Sequence, residues 1–187
     1  MNMLSLMPMK KATDPQFEQV WHLYETSFPG YELRTKPDHI RAMEQAEDYH
    51  VELVMQEDQL VGFVMYWQTQ DYLYLEHFAL LPSMRNKGYG SQVLELLKQK
   101  GQRIILEIDP PEDEISQRRR GFYQRCGFVV NPYDYMHIPY RKEDVGHPLV
   151  LMTWPEGINQ TQYQEFYDFM RYHVAQYAEV PPQKGEE

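Results

Sequence analysis

The sequence predicts one mixed α/β domain folded around a single sheet. Three observations lead there. First, 187 residues with 42% hydrophobic and 25% charged content suffice for one well-buried core and are too few for two comfortable ones. Second, apolar residues recur with period two in some segments and near 3.6 in others. Together they give the order β-α-α-β-β-β-α-β-α-β-β-α. Third, no internal repeat and no low-complexity linker divides the chain, so residues 1–187 are read as one domain, its core at about 3–154 and an extra helix at about 160–178.

Residues 3–9 read as a short first strand. Thr13-Asp14-Pro15 reads as a helix start, a capping side chain followed by proline at the first helical position. Phe17, Val20, Trp21, Tyr24 and Phe28 continue that helix at helical spacing, and Pro29-Gly30 stops it. Thr35-Lys36-Pro37-Asp38 opens a second helix reaching about Ala46. His50–Gln56 and Leu60–Gln68 form a hairpin around Glu57-Asp58-Gln59. Asp71–Leu81 is a third strand in this group, with Tyr72, Tyr74, Glu76 and Phe78 on one face and His77 on the other, in a structural role.

Residues 84–90 form a glycine-containing loop, and Ser91–Lys100 a helix capped by Gly101. Gln102–Asp109 is a short buried strand. Pro110-Pro111 then opens a helix with Glu112, Asp113 and Glu114 in its first turn, ending near Cys126 and Gly127. Phe128–Val130 and Pro148–Thr153 are strands, with a long aromatic loop at 131–140 between them. Tyr163, Phe166, Tyr167, Met170, Val174 and Tyr177 share one face of a last helix, which either covers the core or makes a homodimer contact. The tail at 181–187 reads as frayed.

Eighteen basic against 28 acidic residues give a net charge of -10. That balance argues against a nucleic-acid binder and favours a cationic substrate. The single Cys126 excludes an internal disulfide and a cysteine-based zinc cluster, and fits a reducing, cytoplasmic compartment. The N-terminal residues do not follow the order of a signal peptide, and no apolar run approaches the ~18 residues of a membrane span.

Residues 78–97 (FALLPSMRNKGYGSQVLELL) carry the chemistry: a strand, a loop with Gly88 and Gly90, then a helix. Backbone N–H groups at such a junction converge on one concavity, and the helix N-terminus adds positive potential. Glycine removes Cβ atoms where an anion must approach, and Arg85 and Lys87 add charge at the rim. The ligand suited to this loop is a diphosphate. A dinucleotide fingerprint would need glycine where Val93 stands, and a Walker loop would need Lys-Ser/Thr where Ser91-Gln92 stands.

The loop Arg85-Asn86-Lys87-Gly88-Tyr89-Gly90 resembles the acetyl-CoA loop of the GCN5-related N-acetyltransferase (GNAT) superfamily. Phe122-Tyr123-Gln124-Arg125-Cys126-Gly127-Phe128 resembles a second element of that family, in the right order and at a fitting distance. The resemblance implies a splayed mixed central sheet flanked by helices. It implies that the amides of Arg85, Asn86, Lys87, Gly88, Tyr89, Gly90 and Ser91 hold the CoA pyrophosphate. Phe78, Ala79 and Leu80 would pair with the pantetheine arm, and the amide near Phe78 would polarise the thioester. Tyr123 would serve as the acid for the thiolate. Ser116 stands where many relatives carry a pantetheine-binding asparagine. Arg118, Arg119 and Arg120 either approach the phosphates or form a solvated face.

The activity implied is direct acetyl transfer from acetyl-CoA to a primary amine of a small-molecule or peptide acceptor, without a metal and without nucleic-acid or membrane partners. The base is Glu76 or Glu107, between which the resemblance does not choose. On the acceptor side, Glu32 would pair with a cationic amine and Tyr31 would stack on it. Tyr135 lies in the aromatic loop expected to carry specificity. A non-catalytic acyl-CoA sensor would keep the loop and need none of Glu76, Glu107 or Tyr123.

Overall fold

A computed structural model describes residues 3–179. The strands are β1 (Leu4–Met9), β2 (Tyr49–Gln56), β3 (Gln59–Gln68), β4 (Tyr72–Leu80), β5 (Arg103–Ile108), β6 (Val129–Val130), β7 (Tyr135–His137) and β8 (His147–Trp154). The helices are α1 (Phe17–Ser27), α2 (Lys36–Gln45), α3 (Tyr89–Lys98), α4 (Glu114–Arg125) and α5 (Gln160–Tyr172). The sheet runs β1-β2-β3-β4-β5-β8-β6, with β7 pairing farther along β8. The β4–β5 pair is parallel, and its neighbours are antiparallel.

Alternation along the strands divides the core between two faces. On one face, Phe17, Trp21 and Tyr24 of α1, Ala42 and Met43 of α2, and Phe166 and Met170 of α5 pack against Phe63, Trp67, Tyr72 and Tyr74. On the other, Val93, Leu94 and Leu97 of α3 meet Val64, Leu73, Leu75, Ile104 and Leu106. Phe122 and Tyr123 of α4 pack at the margin of this second cluster. The mixed sheet with helices on both faces is thus the predicted architecture. Among the described residues no helix is long and apolar enough to cross a membrane.

Several boundaries move from their predicted places. The α1 helix starts at Phe17, because the Asp14 carboxylate accepts the amides of Lys10 and Lys11 at 3.0 and 3.1 Å and closes the preceding turn. Thr35 does cap α2, accepting the Asp38 amide. The start of α3 is Tyr89, two residues before the predicted Ser91. Gly88, at φ 76°, turns the chain into the helix. Asp113 is the N-cap of α4 and accepts the Ser116 amide at 2.7 Å, so Pro110-Pro111 precede the helix instead of opening it.

The segment expected as a loop at 131–140 contains β7. Tyr135 and His137 point inward around exposed Met136, a strand alternation too short to stand out in the sequence. The last helix ends at Tyr172. A 3-10 turn, Val174–Tyr177, then carries the apolar stripe onward, with Val174 buried. The α5 helix covers the core. The tail expected to fray lies outside the described residues.

The largest correction is in β4. Met65 pairs with His77 and Tyr66 with Leu75, which leaves Glu76 as the extra residue of a β-bulge. The bulge reverses the alternation. Tyr72, Tyr74 and Ala79 belong to the helix α1 face, and Phe78 and Leu80 to the α3 face. Phe78 therefore does not share the face of Glu76, and His77 does: its Nδ1 lies 3.3 Å from a Glu76 oxygen. Past the bulge β4 approaches β3 so closely that a Cβ on Gly62 would overlap the carbonyl oxygen of Ala79.

Candidate active site

The bulge sits where two parallel strands part. The β4–β5 ladder runs from Tyr72–Arg103 to Leu75–Leu106 and stops, although β4 continues to Leu80 and β5 to Ile108. A cavity of about 820 Å³ opens at this fork. Its walls are Glu76 to Leu80 on β4, Glu107 to Asp109 on and after β5, and Arg118, Arg119, Phe122 and Tyr123 on α4. The loop before α3 and the α1 end (Ser27, Phe28, Glu32) complete it.

At one end lies the glycine loop. Arg85, Asn86, Gly88, Tyr89, Gly90 and Ser91 line the cavity. Asn86 (φ 61°) and Gly88 take left-handed backbone, reversing the chain within three residues. No side chain caps α3, so the orphan amides of its first turn have no side-chain acceptor. A Cβ on Gly88 would meet nothing within 4 Å, whereas one on Gly90 would come to 3.1 Å from the Phe122 ring. Gly88 thus serves the turn, and Gly90 lets α4 approach the loop. Arg85 is anchored by an Nε–H bond to the Leu80 carbonyl, 3.1 Å. This is an anion-binding geometry of the kind found at helix N-termini, and it fits a diphosphate.

At the fork, two carboxylates on adjacent strands have opposite environments. Glu76 is 1% exposed and held by the Arg34 guanidinium, by the Trp67 indole N–H and by His77. Arg34 is itself fully buried, stacked 4.4 Å over the Tyr140 ring, and donates to the Tyr177 carbonyl at 3.2 Å. Burial works against the Glu76 carboxylate, but Arg34 and His77 outweigh it and hold its pKa far below the ordinary range. Both Glu76 oxygens accept hydrogen bonds, and its charged form is favoured.

Glu107 is 7% exposed and has no cation paired closely with it. One oxygen accepts from the Tyr74 hydroxyl, and Oε2 is buried without a partner. His137 Nε2 stands 3.9 Å from Oε1. Burial raises its pKa to about 7, against the lowering effect of the tyrosine hydroxyls. Glu32 is raised to about 7 as well, first by burial and then by the Asp109 and Glu107 carboxylates. This part of the cavity thus gathers three carboxyls, Glu32, Glu107 and Asp109, of which Asp109 is paired with Arg119 at 3.2 Å.

Tyr123 borders the cavity from α4, and its hydroxyl makes no hydrogen bond within the described residues. Burial raises it to about 12, partly opposed by Arg119, so the phenol keeps its proton at neutral pH. Of the other predicted site residues, Phe78, Ala79 and Leu80 line the cavity and Lys87 does not. Ser116 lies outside the lining, its amide held by Asp113. Tyr31 stands outside as well, against the His147 ring at 4.7 Å, and Tyr135, also outside the lining, packs on Phe166 with its hydroxyl toward Glu107. Of the three arginines, Arg118 and Arg119 reach the cavity. Sequence reasoning gave no role to Arg34, Asp109 or His137. His137 reaches the site through β7, which was not anticipated.

The fold has close counterparts. The solved structure of a "Putative acetyltransferase from GNAT family from Bacteroides thetaiotaomicron" superposes with a TM-score of 0.83 at 30% identity, covering 91% of this chain and 97% of that one. A Bacillus subtilis acetyltransferase solved in complex with CoA shares the fold at a TM-score of 0.53 and 16% identity, over 81% of this chain and 96% of that one. Among curated proteins, "Putative acetyltransferase YjbC" of Bacillus subtilis is 26% identical over 105 residues, which are 54% of this chain and 52% of that protein. The match thus spans about half the length of that relative. The model of the Acetyltransferase (GNAT) family matches residues 17–128. The chain belongs to the GNAT acetyltransferase family.

Proposed function

We propose that this chain is an N-acetyltransferase that passes an acetyl group directly from acetyl-CoA to a primary amine. The observation that carries the reading is the pairing, on one cavity, of a buried carboxyl poised near neutrality with a protonated phenol, beside an anion-binding loop. A Bacillus subtilis acetyltransferase of this fold was solved in complex with CoA, which supports CoA as the ligand; its pyrophosphate would lie on the amides from Arg85 to Ser91.

Acetyl-CoA supplies the acetyl group as an activated thioester. Backbone groups of Phe78, Ala79 and Leu80, on the β4 edge that β5 has left, are available to the extended arm of the coenzyme. Glu107 takes the proton that the acceptor nitrogen loses on attack, its pKa being close to the operating pH. Tyr123 donates its phenolic proton to the departing sulfur. Glu76 is excluded from the base role on this reading, because every nearby group already stabilises its charge. It fixes the bulge and so the fork. Glu32, when ionised, gives the acceptor end negative charge beside the paired Asp109, which suits an ammonium-bearing small molecule or peptide.

The test is to incubate the protein with acetyl-CoA and a panel of primary amines and to follow free thiol. Acetylated amine with stoichiometric thiol is expected. Tight CoA binding without turnover on any amine would overturn the proposal.

A further inference from the structure

Two chain connections flank the end of the cavity away from the glycine loop. Residues 28–35 join α1 to α2, and residues 138–146 join β7 to β8. Phe28 and Glu32 of the first line the cavity, together with His137 of β7 and Leu149 of β8. An extended polypeptide acceptor needs a groove that holds its main chain beside the reacting nitrogen. Such a groove would run between these two connections, because the other end of the cavity is the anion-binding loop.

The space between the connections is bridged. Arg141 reaches across it and donates its Nε–H to the Leu33 carbonyl at 3.1 Å. The Tyr31 ring stands against the His147 ring at 4.7 Å, with 73° between their planes. Farther in, the Arg34 guanidinium lies 4.4 Å over the Tyr140 ring. The first connection is also held from the sheet: His77 Nε2 donates to the Glu32 carbonyl at 2.9 Å. The carbonyls of two consecutive residues are thus tied to different elements, which fixes the segment that carries the Glu32 carboxyl.

The bridge has two layers. Arg34 and Tyr140 are fully buried and belong to the interior. Tyr31 is 42% exposed, Arg141 is half-buried, and neither belongs to a hydrophobic cluster of the core. The outer layer therefore spans the connections without contributing to core packing.

On the acetyl-transfer reading above, we propose that Arg141 and Tyr31 form a clasp that selects a small free amine over an amine carried by a polypeptide. A small acceptor needs only the part of the cavity, about 820 Å³ in all, that the coenzyme arm leaves free. Glu32 is there to meet its charge. A polypeptide must part the clasp, losing the Arg141 hydrogen bond and the Tyr31 ring contact, before its nitrogen reaches the fork.

The experiment follows thiol release by the full chain with acetyl-CoA and two series of amines. One is the panel of small primary amines. The other is a set of short peptides offering either a free N-terminus or a single lysine. In wild type, kcat/KM for the best small amine is expected to exceed that for the best peptide by more than about tenfold. The double variant Arg141→Ala/Tyr31→Ala is expected to keep the KM for acetyl-CoA and to lower that ratio at least about threefold by gaining on peptides. A generally weakened fold would slow both series together and leave the ratio alone. Tyr31→Ala, at an exposed position, decides the matter where the double variant does not fold, and it is expected to lower the ratio in the same direction.

A smaller preference in wild type overturns the clasp, and so does a ratio that the variants leave unchanged. Either result leaves acetyl transfer standing. Coenzyme binding without turnover in either series defeats the acetyl-transfer reading and the selectivity with it.

Discussion

Glu107→Gln exchanges a buried ionisable carboxyl for a neutral amide of nearly the same shape, and its two consequences have opposite sign. The carboxyl pKa rises from 4.5 to about 7 on folding. A raised folded-state value means that the native protein holds its proton more tightly than the unfolded chain does. Stability from this group is therefore complete below pH 4.5 and is lost as pH rises through 7. A shift of that size corresponds to about 3 kcal/mol forgone above pH 7. The side chain is nearly inaccessible, so solvent screening removes little of it. Glutamine keeps an oxygen for the Tyr74 hydroxyl and never ionises.

The variant is expected to gain about 1–3 kcal/mol over wild type in denaturant unfolding at pH 8, with the gain vanishing near pH 5. Its kcat/KM should fall by about 100- to 10,000-fold, the usual contribution of a general base. In wild type, kcat/KM should decline below about pH 7 as the Glu107 and Glu32 carboxyls gain protons, the apparent value belonging to the pair. A variant that is no more stable at pH 8 than at pH 5, relative to wild type, and that retains its rate would refute both the electrostatic argument and the role.

If Tyr123 is the acid proposed above, Tyr123→Phe should fold with wild-type stability and lose on the order of 100-fold in kcat, with an unchanged Kd for CoA measured by calorimetry. Arg34→Met leaves the Glu76 charge buried without its partner and should cost about 3–5 kcal/mol in denaturant unfolding, much of which the double variant Arg34→Met/Glu76→Leu recovers. Gly62→Ala places a methyl against the Ala79 carbonyl and should cost about 1–3 kcal/mol, with a weakened Kd for CoA as β4 is pushed from its place at the fork.

The parts of the site that were legible in the sequence are those that depend on local chain geometry. Gly88 and Gly90 declared a loop that only glycine tolerates, and Tyr123 followed from its place in a short linear motif. The hairpin of β2 and β3 was visible because turn residues separate two apolar runs. What the sequence hid depends on partners distant along the chain. The bulge at Glu76 adds one residue to one strand of a pair, which no period-two pattern displays. It reversed the faces assigned to His77 and Phe78. The choice between Glu76 and Glu107 was undetermined for the same reason. It turns on Arg34, which is 42 residues before Glu76 and joins it only after folding. β7 is too short to announce itself, and with it went the place of His137 on the cavity wall.

The contrast between the two carboxylates shows how the fold divides labour at the fork. Both occupy the point where β4 and β5 separate, and both are removed from water. A buried carboxylate is tolerated either by pairing it or by keeping it protonated. Arg34 exercises the first option on Glu76, and its aromatic surroundings (Tyr49, Trp67 and Tyr140) make the pair rigid. The extra residue of the bulge is thereby locked, and the strands stay apart whether or not a ligand lies between them. Glu107 receives only neutral hydroxyl and imidazole neighbours, so its proton affinity stays near the middle of the physiological range. Had the arginine been placed to reach Glu107 instead, the Glu107 carboxyl would be held ionised and the bulge would lose its anchor. A single guanidinium, reaching one strand and not its neighbour, therefore settles both the shape of the cavity and the group within it that is free to exchange a proton.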